Sequence, residues 1–280
     1  MVSSIFLSAS GISMLYLSFL LFGVALKPSL LCATFLVIYS VYSLNRLTDQ
    51  EEDAVNMPER SLFVQGNEHF LLALAVVSYV VALFLGWLES PFAAVILLFP
   101  LVAGLLYSKN ILSTVGIPRL KDIFLVKSLI VASSWTIGAA FLPALYLHGN
   151  FTKLWFVFPF FFIKMFINTV LFDVRDVEGD ALNNIKTIPV VIGIPRTRQL
   201  LLIIQSLLAI WLVFFLDLFS EYLIILIISM IYGYVYILYF CGKNNNKTLS
   251  RDILVDGEWI IMSMWVWIYV GIDSCFKMFA

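Results

Sequence analysis

The chain has 280 residues, 62% hydrophobic and 12% charged, with a formal net charge of −1 and a mean hydropathy of +1.00. So little polar surface cannot coat a water-soluble globule of this length, and the bilayer is the expected solvent. No basic patch interleaved with stacking aromatics is present, which argues against a nucleic-acid partner, and the scattered Cys32, Cys241 and Cys275 form neither a disulfide framework nor a metal-ligand spacing.

Taken in chain order, about nine apolar runs of spanning length are expected as helices: 4–26, 29–47, 69–88, 91–107, 123–147, 154–172, 200–219, 222–241 and 257–275. Backbone groups in lipid must hydrogen-bond within their own segment, so these runs predict an all-α, polytopic membrane protein. The first run lacks the basic segment of a signal peptide and counts as a span. The whole chain, 1–280, reads as a single transmembrane domain. Connections after the odd-numbered helices are short, and those after the even-numbered ones are long and charged. Twelve basic residues, among them Arg46, Arg60, Lys109, Lys121, Arg175 and Lys186, fall on the long-loop side; only Lys27, Lys153 and Lys277 fall on the other. That bias puts the long loops and the N-terminus in the cytoplasm. Cys241, at the inner end of the eighth run, is then expected to react with an impermeant thiol reagent from the cytoplasm alone.

Two acidic clusters stand at helix ends on that side. In the first, steps of four place Asn45, Asp49 and Asp53 along one helix face; in the second, steps of three and four are expected to stack Asp173, Asp176 and Asp180 on another. Carboxylate oxygens are hard ligands suited to Mg²⁺, an ion that commonly bridges carboxylates to substrate phosphates. Several aspartates held together without a metal would repel one another.

The strings Asn45-x-x-x-Asp49-x-x-x-Asp53 and Asp173-x-x-Asp176-x-x-x-Asp180 resemble the two signature motifs of the UbiA superfamily of intramembrane prenyltransferases. The segment from Asn56 through Pro58 to Arg60, the Tyr107-Ser108 pair and the stretch from Asp173 to Gly193 resemble the same family. Some members carry a lysine four residues after that tyrosine; here Ile111 holds the place, between Lys109 and Lys121.

The resemblance implies that Asp49, Asp53, Asp173, Asp176 and Asp180 hold Mg²⁺ against the diphosphate of a polyprenyl donor. Asn45, Arg60, Lys109, Lys121, Arg175 and Lys186 would bind that diphosphate. Tyr107 would orient it or stabilise an allylic cation by its ring face. The implied reaction is prenyl transfer to a lipophilic acceptor within membrane lipid, an aromatic quinone precursor being the first expectation and a glycerol-phosphate lipid the second. A transporter is the rival of a different class, but transporters place their sites at the bilayer midplane on interrupted helices, whereas these acids lie at helix ends. Two further lysines fall inside the runs, where charge is costly. Lys127 is expected to snorkel to the cytoplasmic surface, and Lys164 needs either a functional cavity or a buried partner.

Overall fold

The structure is a computed structural model that describes residues 4–48, 66–108, 123–149, 151–183, 185–242 and 251–279, with side chains throughout except at 106–108, 252 and 270–279. Asp49, Asp53, Arg60, Lys109, Ile111 and Lys121 lie outside the described residues, as does the side chain of Tyr107.

The apolar runs form helices, and no strand occurs among the described residues. In chain order they are α1 Ser4–Phe22, α2 Pro28–Thr48, α3 Glu68–Glu89, α4 Pro91–Ser108, α5 Val126–Ala144 and α6 Leu154–Arg175, then the short α7 Val177–Leu182 and α8 Ile188–Ile192, then α9 Ile194–Val213, α10 Leu223–Phe240 and α11 Glu258–Phe279. A 3₁₀ segment, Asp217–Tyr222, leads into α10. Seven of these segments are long and apolar enough to cross a membrane among the described residues, which supports a polytopic protein without fixing the number of spans at nine.

Helix boundaries follow from local chemistry. Pro91 and Pro195 stand in the first turns of α4 and α9, where a missing N–H costs nothing. Gly193, at φ 79, makes the bend between α8 and α9 that a Cβ would strain. Hence α9 begins at Ile194 and not near 200, as hydropathy suggests: the early turns of α9 are polar and carry no apolar signal, yet their backbone is helical.

Neighbours in sequence pack as neighbours in space, from α1 against α2 through to α10 against α11, and α11 returns to pack on α1. The closing helix α1 is shared by two apolar cores. Its Leu15 and Phe19 join the core built on α2, α3, α4 and α5, and its Met14, Leu17 and Leu21 join the core built on α5, α6, α9, α10 and α11. Buried Ser8, Ser10, Gly11 and Ser18 let α1 sit close to its partners, the usual way helices associate where apolar burial against lipid drives nothing. Large apolar side chains such as Phe70, Trp87, Val95, Ile203 and Ile231 remain exposed. On a bilayer-embedded bundle they meet acyl chains, so their exposure carries no penalty.

Lys164 is resolved by its partners. It is fully buried on α6 and its Nζ lies 2.6 Å from Glu258 Oε1 on α11, while also donating to the Ser229 carbonyl at 3.0 Å. Ser229 Oγ donates to Glu258 Oε1 at 2.7 Å, and Tyr236 OH donates to Glu258 Oε2 at 3.2 Å. A structural ion pair fastening α6, α10 and α11 therefore replaces the functional cavity that Lys164 could have marked.

Candidate active site

The second acidic motif and Asn45 of the first lie on two sides of the first turns of α5. On one side, α6 ends at Arg175 and the chain breaks at Asp176, whose φ of −93 and ψ of 10 leave the helix. A new turn then begins, with the Asp180 N–H donating to the Asp176 carbonyl at 2.8 Å. This break corrects the expectation from spacing. The three aspartates do not stack on one helix face, because Asp180 rides on α7 and is carried back toward α5.

There it meets Lys127, whose Nζ lies 2.8 Å from Asp173 Oδ1 and 3.3 Å from Asp180 Oδ2. Ser128 Oγ donates a 3.0 Å hydrogen bond to the other oxygen of Asp173. Asp173 and Asp180 are both buried, so neither carboxylate is well screened by water. Burial pushes the Asp180 carboxyl up to about 6; the charge of Lys127 opposes that rise, and those of Asp173 and Asp176 add to it. Asp176 takes a two-pronged contact from Arg175, at 2.6 and 2.7 Å. Arg175 also lies 4.9 Å from the Phe172 ring centroid. The third cation expected here, Lys186, is exposed.

On the other side of α5, Asn45 of the first motif lines a cleft with Val41 and Tyr42 of α2, Pro100 and Gly104 of α4, and Ile130, Val131, Ser134 and Trp135 of α5. The cleft is narrow, with a cavity volume of about 80 Å³, and part of it is open to the outside. It continues past Val37, Ile38 and Thr34 to Gly138 and Ala139 on α5. Eleven residues of α2 separate Thr34 from Asn45, a rise of roughly 16 Å. Its walls are apolar except for Asn45 at the mouth, Thr34 and Ser134, and the pair in which the Trp135 indole N–H donates to Tyr42 OH at 3.0 Å. At Gly104 and Gly138 nothing lies within 4 Å of where a Cβ would be, so both glycines keep the cleft open.

Thus α5 stands between the motifs, with Lys127 facing the second and Ile130 facing Asn45 of the first. Sequence reasoning missed Lys127, Ser128, Tyr42 and Trp135. Lys127 carried a signal, a charge at the edge of an apolar run, but its partner Asp180 lies 53 residues away, and nothing local names that pairing. Among the described residues no three acidic, histidine or cysteine side chains already form a metal cage. The two carboxylates of the second motif are hard oxygen donors of the kind that suit a divalent ion also bound to a phosphate-bearing ligand.

A family profile described as the UbiA prenyltransferase family matches residues 2–268. The chain belongs to this family. A comparison with curated proteins finds no match. Among solved structures, a UbiA homologue from Archaeoglobus fulgidus bound to GPP and Mg²⁺ superposes with a TM-score of 0.64 at 14% identity, covering 95% of this chain and 96% of that one. A digeranylgeranylglyceryl phosphate synthase gives 0.58 at 17% identity, over 95% and 91%. The apo UbiA homologue from Aeropyrum pernix K1 gives 0.59 at 14% identity, over 92% and 98%. At such identities the structural likeness establishes the shared UbiA fold over nearly the whole chain and nothing finer.

Proposed function

We propose that this UbiA-family chain is a Mg²⁺-dependent prenyltransferase that moves a prenyl group from a polyprenyl diphosphate to a lipophilic acceptor, an aromatic quinone precursor in the first instance. The observation that carries this reading is that the first turns of α5 have a buried carboxylate pair with a partly buried cation on one side and an apolar cleft on the other. A polar head and a long apolar tail on one ligand need such a juxtaposition. The A. fulgidus homologue, bound to GPP and Mg²⁺, is a relative that holds such a pair of ligands.

In this reading Asp173, Asp176 and Asp180, with Asp49 and Asp53 of the first motif, would hold the ion. When bound, Mg²⁺ neutralises charge that builds on the departing diphosphate. Lys127, Arg175 and Lys186, with Arg60, Lys109 and Lys121, offset the remaining negative charge, and Asn45 binds the diphosphate at the mouth of the cleft. Tyr107 orients that group. The cleft of α2, α4 and α5 takes the tail and keeps water from the reacting carbon, and Tyr42 and Trp135 offer ring faces to a carbocation or an aromatic acceptor.

Purified protein incubated with Mg²⁺, a labelled prenyl diphosphate and a panel of acceptors is expected to yield labelled lipid product, abolished by chelation. The panel includes quinone precursors and a glycerol-phosphate lipid, the latter because one fold neighbour is a digeranylgeranylglyceryl phosphate synthase. Release of diphosphate with none of these acceptors, together with solute uptake into vesicles, would move the transporter reading to the front.

The same proposal places the motif end of the bundle in the cytoplasm. Cys241 cannot report on this, because it is buried and labelling needs an accessible thiolate. With all three cysteines replaced by serine, cysteine at exposed Leu182 is expected to label only in opened cells, and cysteine at exposed Glu221 in intact ones. The reverse pattern overturns the orientation.

A further inference from the structure

The ammonium of Lys127 sits between two carboxylates that come from different helices, at 2.8 Å from Asp173 and 3.3 Å from Asp180. Asp173 and Asp180 keep 1% and 5% of their side-chain surface, and Lys127 keeps 19%. Two nearly dry carboxylates in one place repel each other unless a cation lies between them. On the reading above, these same carboxylates belong to the set that receives a divalent cation.

We propose that Lys127 is a built-in stand-in for that cation, which holds the second motif in its assembled shape before Mg²⁺ arrives and competes with Mg²⁺ for Asp173 and Asp180. This inference rests on the proposed function. It has two consequences of opposite sign. Lys127 organises the metal-free site, so its loss loosens the fold around α5, α6 and α7. Lys127 also opposes the metal, since Mg²⁺ must take carboxylate oxygens from an ammonium already paired to them. Once the lysine gives up these two carboxylates, the diphosphate is an anion it can pair with. Mg²⁺ and diphosphate therefore bind with positive coupling in the wild-type protein, and the lysine is the source of part of that coupling.

A purely structural lysine predicts the first consequence and not the second. The test follows thermal unfolding of detergent-purified wild type and Lys127→Met while Mg²⁺ is titrated, alone and with inorganic diphosphate below the magnesium concentration. Neither probe needs turnover. Lys127→Met is expected to melt lower without ligand, to be stabilised by Mg²⁺ alone at a concentration on the order of tenfold lower than wild type, and to gain less from added diphosphate. Lys127→Gln, which is neutral but can still donate to both carboxylates, serves the same comparison if the Met variant does not purify. An unchanged Mg²⁺ midpoint together with unchanged diphosphate coupling in the neutral variant overturns the inference. Wild-type protein that responds to neither Mg²⁺ nor diphosphate overturns the proposed function itself, so the two failures are distinguishable.

Discussion

Asp176→Asn is expected to cut prenyl transfer about a hundred- to a thousandfold while the protein stays folded. Asparagine keeps the size and one oxygen ligand but cannot neutralise Mg²⁺. The loss corresponds to about 2.7–4 kcal/mol, taken by analogy from removal of one oxyanion-hole donor. Asp176 suits this test better than Asp173, because its site separates chemistry from stability. It lies at the break between α6 and α7, partly exposed, with Arg175 as its close partner, and a partly exposed pair of this kind contributes only about 0–1 kcal/mol. Asp173 is buried against Lys127 and Ser128, so its replacement strands a lysine and loosens the bundle as well as the site. Glu178→Gln, two residues on at an exposed position, is the control and should leave turnover near wild type. Folded Asp176→Asn with near-normal, Mg²⁺-dependent transfer would show that the second motif does not carry the metal as proposed.

The largest stability effect is expected at Lys164. Replacing it with methionine leaves the Glu258 carboxylate buried at 4% exposure with only hydroxyl donors, Ser229 and Tyr236. Removing one partner of a buried ion pair typically costs about 3–5 kcal/mol. Glu258→Met should cost a similar amount, because the ammonium is stranded instead. The double variant Lys164→Met/Glu258→Met carries no buried charge and should recover most of the loss, giving a strongly non-additive cycle. Unfolding rates in detergent provide the measurement, because membrane proteins of this size rarely refold and the operational quantity is kinetic. A double variant as unstable as the sum of the single ones would mean that the pair does not hold α6 to α11.

The sequence and the structure agree where the cause is local. A run of apolar residues long enough to cross lipid must be helical because its backbone has no other hydrogen-bond partners, so the helices from Ser4 to Phe279 were legible one at a time. The family was legible as well, since motif residues such as Asn45, Asp173 and Asp180 recur at fixed spacings and the profile match spans residues 2–268. Proline and glycine shifted helix ends by several residues, as at Gly193 and Ile194, because hydropathy is blind to where the backbone turns.

Pairings between helices were not legible. The rule that places i and i+4 on one face holds only while the helix continues, and α6 stops at Arg175; hence Asp173 and Asp180 converge through a bend and a third helix, not by stacking. Which cation meets which acid depends on the packing order and rotation of the helices, set by many apolar contacts such as those α1 shares between its two cores. That order assigned Lys127 to the acidic motif and Lys164 to Glu258. In sequence neither lysine names its partner: Lys127 stands near the edge of an apolar run and Lys164 inside one. Only the bundle separates them, because a buried charge is tolerated wherever a counter-charge from another helix reaches it, and no stretch of one helix records where that partner comes from.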